Sequence, residues 1–481
     1  MTLLHCPRDE SWIGCVDFGT SYSKFAMVRA VDRDDLKSED IRPLAIGYGQ
    51  SSAREWLLPS VLYVTDKAVL FGAEAEREAL RALGTARDAF RSPKEYLSTC
   101  DIDDYDARLL KEIDPTGFFS ARTLLRLFIA YLLHRAAEQA HAECLPWPIP
   151  LRVARPAWEP KRARDGEILL RDLVEHGFAI ADIVGSAISD SGGLDLNSAL
   201  AALEQANENV RQAKKNKTIS SNMFVVGRYN RISVPEATAV AANTNRRPGR
   251  RLVVVADIGG GTSDFGAFMT PVQGQKTMAE VNGGSHILTR AGDFLDMQLI
   301  RFILSEAGYL EGHQTSRGIT RRLTNQGRQN KEILFAERTL KLEIDDRLLN
   351  ISLDKFLSRP EVQNFAEILR ERFRQSLLKA KQCAQAYRSA NGLEPPIEIM
   401  LTGGGNSLPM VRALLADPGL PGNYVARAPE IIEDEDTFEF DTIRPQLAVA
   451  IGGALKDLPS TTNLIVDRNI DAVAVNQPTP L

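Results

Sequence analysis

Several things are scarce or missing in this chain, and each absence excludes a class of protein. No stretch of about 18 uninterrupted apolar residues occurs, so no membrane span is expected. The opening MTLLHCPRDESW reaches acidic residues before an apolar core can form, unlike a secretory leader. Cysteine is rare: Cys6, Cys15, Cys100, Cys144 and Cys383 are odd in number, far apart and without a CxxC pair. That argues against a disulfide framework or a structural zinc site and fits a reducing, cytoplasmic compartment. Excess charge of one sign is also lacking. Lys plus Arg total 58 and Asp plus Glu 63, a net charge of −5, which is a poor basis for a dedicated nucleic-acid binder. There is no GxxxxGK[ST], so a Walker-type phosphate loop is ruled out.

What is present is ordinary globular composition, 44 % hydrophobic and 25 % charged, over 481 residues. A single core rarely grows past about 250–300 residues, so more than one folded unit is expected. Trp12–Val16 reads as a buried strand that stops at Asp17-Phe18-Gly19-Thr20-Ser21, and Phe25–Ala30 reads as its returning partner. Leu252–Ala256 is the strongest strand signal; it stops at Asp257-Ile258-Gly259-Gly260-Gly261-Thr262, and Phe265–Met269 returns. The pattern of strand, leading aspartate and glycine turn thus occurs twice, about half a chain apart. It predicts two similar α/β lobes with a ligand between them. A third glycine corner, Gly403-Gly404-Gly405, follows the strand Ile397–Leu401. Asn330–Asp345 and Leu447–Leu458 read as helices, and 185–222 as a less regular excursion with a polar helical piece around Ala199–Lys215.

Successive backbone N–H groups of a glycine turn form an anion-binding nest, and Thr20, Ser21, Thr262 and Ser263 add hydroxyl donors. A carboxylate beside such a nest repels phosphate unless a cation lies between them. Mg²⁺ takes oxygen ligands and keeps several waters, so Asp17 and Asp257 are its candidate ligands, directly or through water. The third corner, with no acid, suits a flat neutral group such as adenine or ribose.

Five segments carry a resemblance to a known superfamily. Asp17–Ser23 resembles the first phosphate motif of the actin and 70-kDa heat-shock ATPases, and Asp257–Asp264 the second. Leu401–Pro409 resembles the adenosine motif, while Pro235–Ala241 and Leu447–Ala454 resemble the two connecting segments. The heat-shock nucleotide-binding domain is the nearest branch. The resemblance implies a bilobal actin-like fold, two ribonuclease-H-like lobes around a cleft for ATP or ADP with Mg²⁺. Lobe I would be residues 1–249, closed by a returning helix at 445–458 and carrying an insertion near 185–222. Lobe II would be 250–440, and 459–481 a tail.

The resemblance also implies roles. Phe90–Leu97 resembles the stretch holding the family's phosphate-contacting lysine, which would be Lys94. Glu236 matches a glutamate near the metal and the attacking water, and Asp264 a second-lobe carboxylate there. Ala336–Ile344 resembles the helix bordering adenine and ribose, where Glu337 and Lys341 would share one face. Lys94, Glu236, Asp257 and Asp17 are the expected catalytic set.

This sequence also departs from the family pattern. Ser407 stands where an arginine usually stacks on adenine, Gln446 replaces an acid, and Ala237 replaces a proline. Only Pro459–Leu481 follows the last matching helix, Leu447–Leu458, so an ATPase module lacking the peptide-binding domain is expected. A chaperone-like nucleotide switch acting on an unknown protein partner is the leading reading. A filament-forming actin-like protein and a small-molecule kinase are the alternatives. The 185–222 insertion and Arg317–Lys331 are candidate partner surfaces.

Overall fold

The structure, a computed structural model, describes residues 2–48, 54–82, 85–99, 105–155, 158, 160–225, 232–244, 250–271, 278–309, 317–429 and 443–464. The apolar run that ends at Asp17 forms the strand Trp12–Asp17, buried along nearly its whole length. It pairs antiparallel with Tyr22–Arg29, and in parallel with Leu151–Arg155 on its other side. Ser233–Pro235 and Ile41–Pro43 extend this first sheet outward. Leu252–Ile258 repeats the arrangement. It pairs antiparallel with Ser263–Met269 and in parallel with Ile397–Thr402. Tyr424–Arg427 and Ala279–Val281 flank this second sheet. Both sheets therefore have the same topology around an aspartate-ended hairpin. Strands covered on both faces read as continuous apolar runs, and Val253–Val255 is such a run.

Each sheet has its own core. The first packs against the helices Ala121–Ala142 and Pro160–Val184, the second against Gly292–Glu306 and Pro360–Asn391. A third cluster joins them: Cys15 and Val234 meet Val253, Val255, Phe268 and Met400 through the helices Glu236–Ala242 and Arg444–Ala454. These two helices cross so closely that a Cβ on Gly452 would lie 1.8 Å from the Ala239 carbonyl oxygen. Only glycine permits that approach.

Several expectations need correction here. The stretch 185–222 is more regular than its composition suggests, because Leu196–Asn216 is one continuous helix. Asp195 caps it, accepting from the Asn197 and Ser198 amides, and Ala199, Leu203, Ala206 and Val210 form a buried stripe. The helix expected over Leu447–Leu458 ends at Ala454. The Arg152 guanidinium takes up the freed carbonyls, donating to Gly453 at 3.0 Å, to Lys456 at 3.2 Å and to Leu455. The chain then reaches the second sheet, where Ser460–Leu464 pairs in parallel with Ala279–Val281. That segment was expected to be a plain tail; residues 465–481 lie outside the described ones. The helix expected over 330–345 begins earlier, at Arg317, and ends at Glu337. Arg338 has φ +61°, and Thr339–Ile344 is a strand paired with Arg347–Ser352. Among the described residues no helix is long and apolar enough to cross a membrane.

Candidate functional site

Strand pairing brings the leading acids together. Asp17 ends the first sheet's central strand and Asp257 lies at the end of the second's. Register places Asp264 directly across from Asp257. Glu236 opens the crossing helix Glu236–Ala242, and Lys94 lies in the helix Pro93–Thr99. The turn after Asp257 is tight, with the Gly259 amide donating to the Thr262 carbonyl at 2.9 Å. It touches the first turn: a Cβ on Gly260 would sit 2.6 Å from Ser21 Oγ. The third corner is tied to both neighbours. The Gly405 amide donates to Ile258 at 2.9 Å, and the Gly403 amide to Pro445 at 3.0 Å.

One cavity of about 590 Å³ collects these features, a size suited to a small-molecule ligand. Asp17, Gly19, Thr20, Ser21, Lys94, Glu236, Asp257, Gly259, Gly260 and Thr262 line it, with Gly403, Gly404 and Gly405. Gly261 and Asp264 are not among the lining residues: Gly261 packs against Thr20 and Asp264 is only 1 % exposed. Ser407 and Gln446, two of the departures, also face the cavity. Glu337 and Lys341 do not belong to it. Arg338 breaks the helix between them, so they share no helix face, and both point to solvent. Their place along the cleft is taken by Arg328, Lys331 and Glu332, about one and a half to two and a half turns before Glu337 in the same helix. Lys331 donates to the Gly292 carbonyl at 2.9 Å and pairs with Asp296 at 2.8 Å. The Arg328 guanidinium lies 3.6 Å from the Tyr22 ring centroid.

Sequence reasoning also missed Lys24. Its Nζ lies 2.7 Å from Asp17 Oδ2, because hairpin register sets the two residues opposite each other. A signal existed: a lysine two residues into an otherwise apolar buried strand needs a partner. Thr402, likewise missed, donates from Oγ1 to Asp257 Oδ1 at 2.8 Å.

The electrostatics of the cleft are unbalanced. The imbalance is among the buried groups: Asp17, Asp257, Asp264 and Glu236 are four buried carboxylates against the ammonium groups of Lys24 and Lys94, while Arg54, Arg328, Lys331 and Arg338 also line the cavity. Lys94 pairs directly with Glu236. Burial alone would lower the Lys94 pKa, but the Glu236 and Asp17 carboxylates outweigh it and hold the ammonium above its ordinary value. Burial, opposed by Lys94 but reinforced by Asp264, Asp17 and Asp257, pushes Glu236 up to about 8. Asp257 is pushed up to about 6, chiefly by burial, against the Thr402 hydrogen bond. A buried all-oxygen donor set with surplus negative charge fits a hard divalent cation. Among the described residues no three acidic, imidazole or thiol groups are placed to ligate one ion directly. The carboxylates would therefore hold such an ion largely through its waters, as suits Mg²⁺.

A twice-repeated sheet motif, with a glycine-turn cleft where the two copies meet, defines a bilobal α/β fold of the actin type. The family model described as Hsp70 protein matches residues 204–418, a span that includes Glu236, the second glycine turn and the third corner. The match covers just under half of the chain and, with the fold, supports a likeness to the actin and 70-kDa heat-shock ATPase superfamily. At family level the match supports an ATP-binding, chaperone-like function.

Proposed function

We propose that the cleft binds ATP and ADP with Mg²⁺, and that the protein is a slowly ATP-hydrolysing, chaperone-like switch acting on a partner protein. The observation that carries this reading is the contact between two acid-led glycine turns around four buried carboxylates. Backbone amides of 18–21 and 259–262 would cradle the phosphates. Asp17 and Asp257 would orient a hydrated Mg²⁺, which when bound supplies charge neutralisation at the phosphates. Glu236, with its proton affinity raised by its surroundings, would hold or move a proton at the attacking water. Lys94 would offset charge developing on the γ-phosphate. Gly403–Gly405, Ser407 and Phe335 would border adenine without an arginine at 407. Residues 1–249 with the returning helix, and 250–440, are the two units whose closure would report the bound nucleotide.

Calorimetry with ADP and ATP in Mg²⁺, run beside phosphate release, tests the proposal. Binding should be accompanied by a rise in melting temperature through mass action. No binding of either nucleotide at millimolar concentration would sink it.

A further inference from the structure

Lys94 stands on a short stretch of chain that is held from both halves of the molecule. On the first-sheet side, Phe90–Arg91 pairs with Val61 and Leu62, and the Phe90 ring stacks on Tyr96 at 4.8 Å. The helix that carries Lys94 starts at Pro93. Ser92, between strand and helix, has φ +51°, in the left-handed region that a non-glycine residue enters only at a cost. Such a conformation persists where its surroundings over-determine it. Part of that support comes from the second-sheet half. Arg91 Nη2 donates to Asn325 Oδ1 at 3.1 Å, a contact between residues 234 apart in the chain. Asn325 lies in the helix Arg317–Glu337, which is anchored by Leu323 and Leu334 in the second core. Ser92 Oγ donates to Asp293 Oδ2 at 3.5 Å. Oδ1 of the same carboxylate lies 3.3 Å from where a Cβ on Gly260 would be, so Asp293 stands between Ser92 and the second glycine turn. Arg321 adds a third strut from the same helix, donating to the Thr85 carbonyl at 2.6 Å.

We propose that Arg91 and Asn325 are positioning residues for Lys94. The second-sheet half holds the strained turn at Ser92 and through it sets the Lys94 ammonium against Glu236. Asp293 is the lesser strut, because its hydrogen bond to Ser92 is long. This rests on the nucleotide reading above and adds a property to it: hydrolysis depends on contact between the two halves at this turn, whereas nucleotide binding does not.

The test first reads the lysine itself, before any nucleotide is added. Acetylation by acetic anhydride, located by mass spectrometry, reports how well Lys94 Nζ is withdrawn; Lys94 is 5 % exposed, and the exposed Lys355 serves as reference. Relative to Lys355, Lys94 should acetylate roughly 10- to 30-fold faster in Arg91→Met and in Asn325→Ala, the size of one hydrogen bond to a charged group. Asn325→Asp keeps the acceptor and should follow the parent. ATP turnover is then measured on the same proteins. Arg91→Met should lower kcat by a similar factor and leave KM and ADP affinity within about threefold of the parent. In a Lys94→Ala background the same substitution should cost less than about twofold, because a residue that acts through Lys94 then has nothing left to place. Unchanged Lys94 acetylation in both variants overturns the proposal. So does an equal loss of kcat with Lys94 absent, an outcome that leaves the nucleotide reading intact. A parent that binds neither ATP nor ADP overturns the nucleotide reading and the claim on hydrolysis, while the acetylation ratio still decides whether the second half holds this turn. If Arg91→Met fails to fold, Asn325→Ala, a substitution by a good helix former within a helix, decides in its place.

Discussion

Replacing Glu236 with glutamine should change how the stability of the nucleotide-free protein responds to pH. Burial and the neighbouring aspartates push Glu236 up to about 8, against an ordinary value of 4.5. Between those values the folded protein keeps a proton that the unfolded chain releases. Stability therefore falls as pH rises from about 4.5 to about 8 and levels off beyond. A fully shifted group contributes about 1.4 kcal/mol per pH unit, so the fall from pH 5 to 7.5 is roughly 3 kcal/mol. Asp257, with its folded value raised to about 6, adds a fall that ends near that pH. His286 acts in the opposite sense, since burial lowers its pKa and its contribution grows as pH rises toward 6.5. Subtracting the variant's profile from the parent's cancels His286, whose charged neighbours are Arg372 and Lys379, whereas Asp257 feels Glu236 and shifts with it. Glutamine also keeps an acceptor for the Lys94 ammonium. The assay is denaturant unfolding in EDTA between pH 5 and 8, followed by tryptophan fluorescence. Trp12, Trp147 and Trp158 pack on the first sheet's core, the half that carries Asp17, Lys94 and Glu236. From pH 5 to 7.5 the variant should gain roughly 3 kcal/mol relative to the parent. Parallel profiles would refute the claim that Glu236 sits in a crowded field of buried carboxylates.

Three other substitutions test separate parts of the site. Lys94→Ala should lower ATP turnover by roughly 30- to 1000-fold while ADP affinity stays nearly unchanged, because the lost contact is one made in the transition state; hydrolysis at the parent rate removes Lys94 from the mechanism. Asp257→Ala should abolish the strengthening of ADP binding by Mg²⁺, and unchanged Mg²⁺ titrations would end the case for the second glycine turn as a metal–phosphate site. Gly452→Ala forces a Cβ to within 1.8 Å of the Ala239 carbonyl oxygen, so it should destabilise by at least about 1–3 kcal/mol as the crossing helices separate. A melting temperature equal to the parent's would show that the two helices do not pack as described.

Much of this protein was legible in the chain alone, where the signal is local. A buried strand that stops at an aspartate and a run of glycines announces a functional turn. Two such units half a chain apart announced a repeated topology, and both are carried by consecutive residues. The segment 336–344 shows where local reading fails. A spacing of four suggested one helix face for Glu337 and Lys341. The alternation of Leu340, Leu342 and Ile344 with polar residues, the period of a strand, lay in the same stretch. Arg338 in the left-handed region separates the two elements. The partners of the acids were not legible, because they depend on register and on helices from elsewhere in the chain. Lys24 meets Asp17 across a hairpin, Thr402 meets Asp257 from a strand some 145 residues away, and Lys94 reaches Glu236 over 142 residues. Sequence determined which residue types end the strands. Tertiary structure alone decided how many carboxylates share one buried volume, and so which of them hold their protons, because charge–charge energies depend on distance and burial rather than on order along the chain.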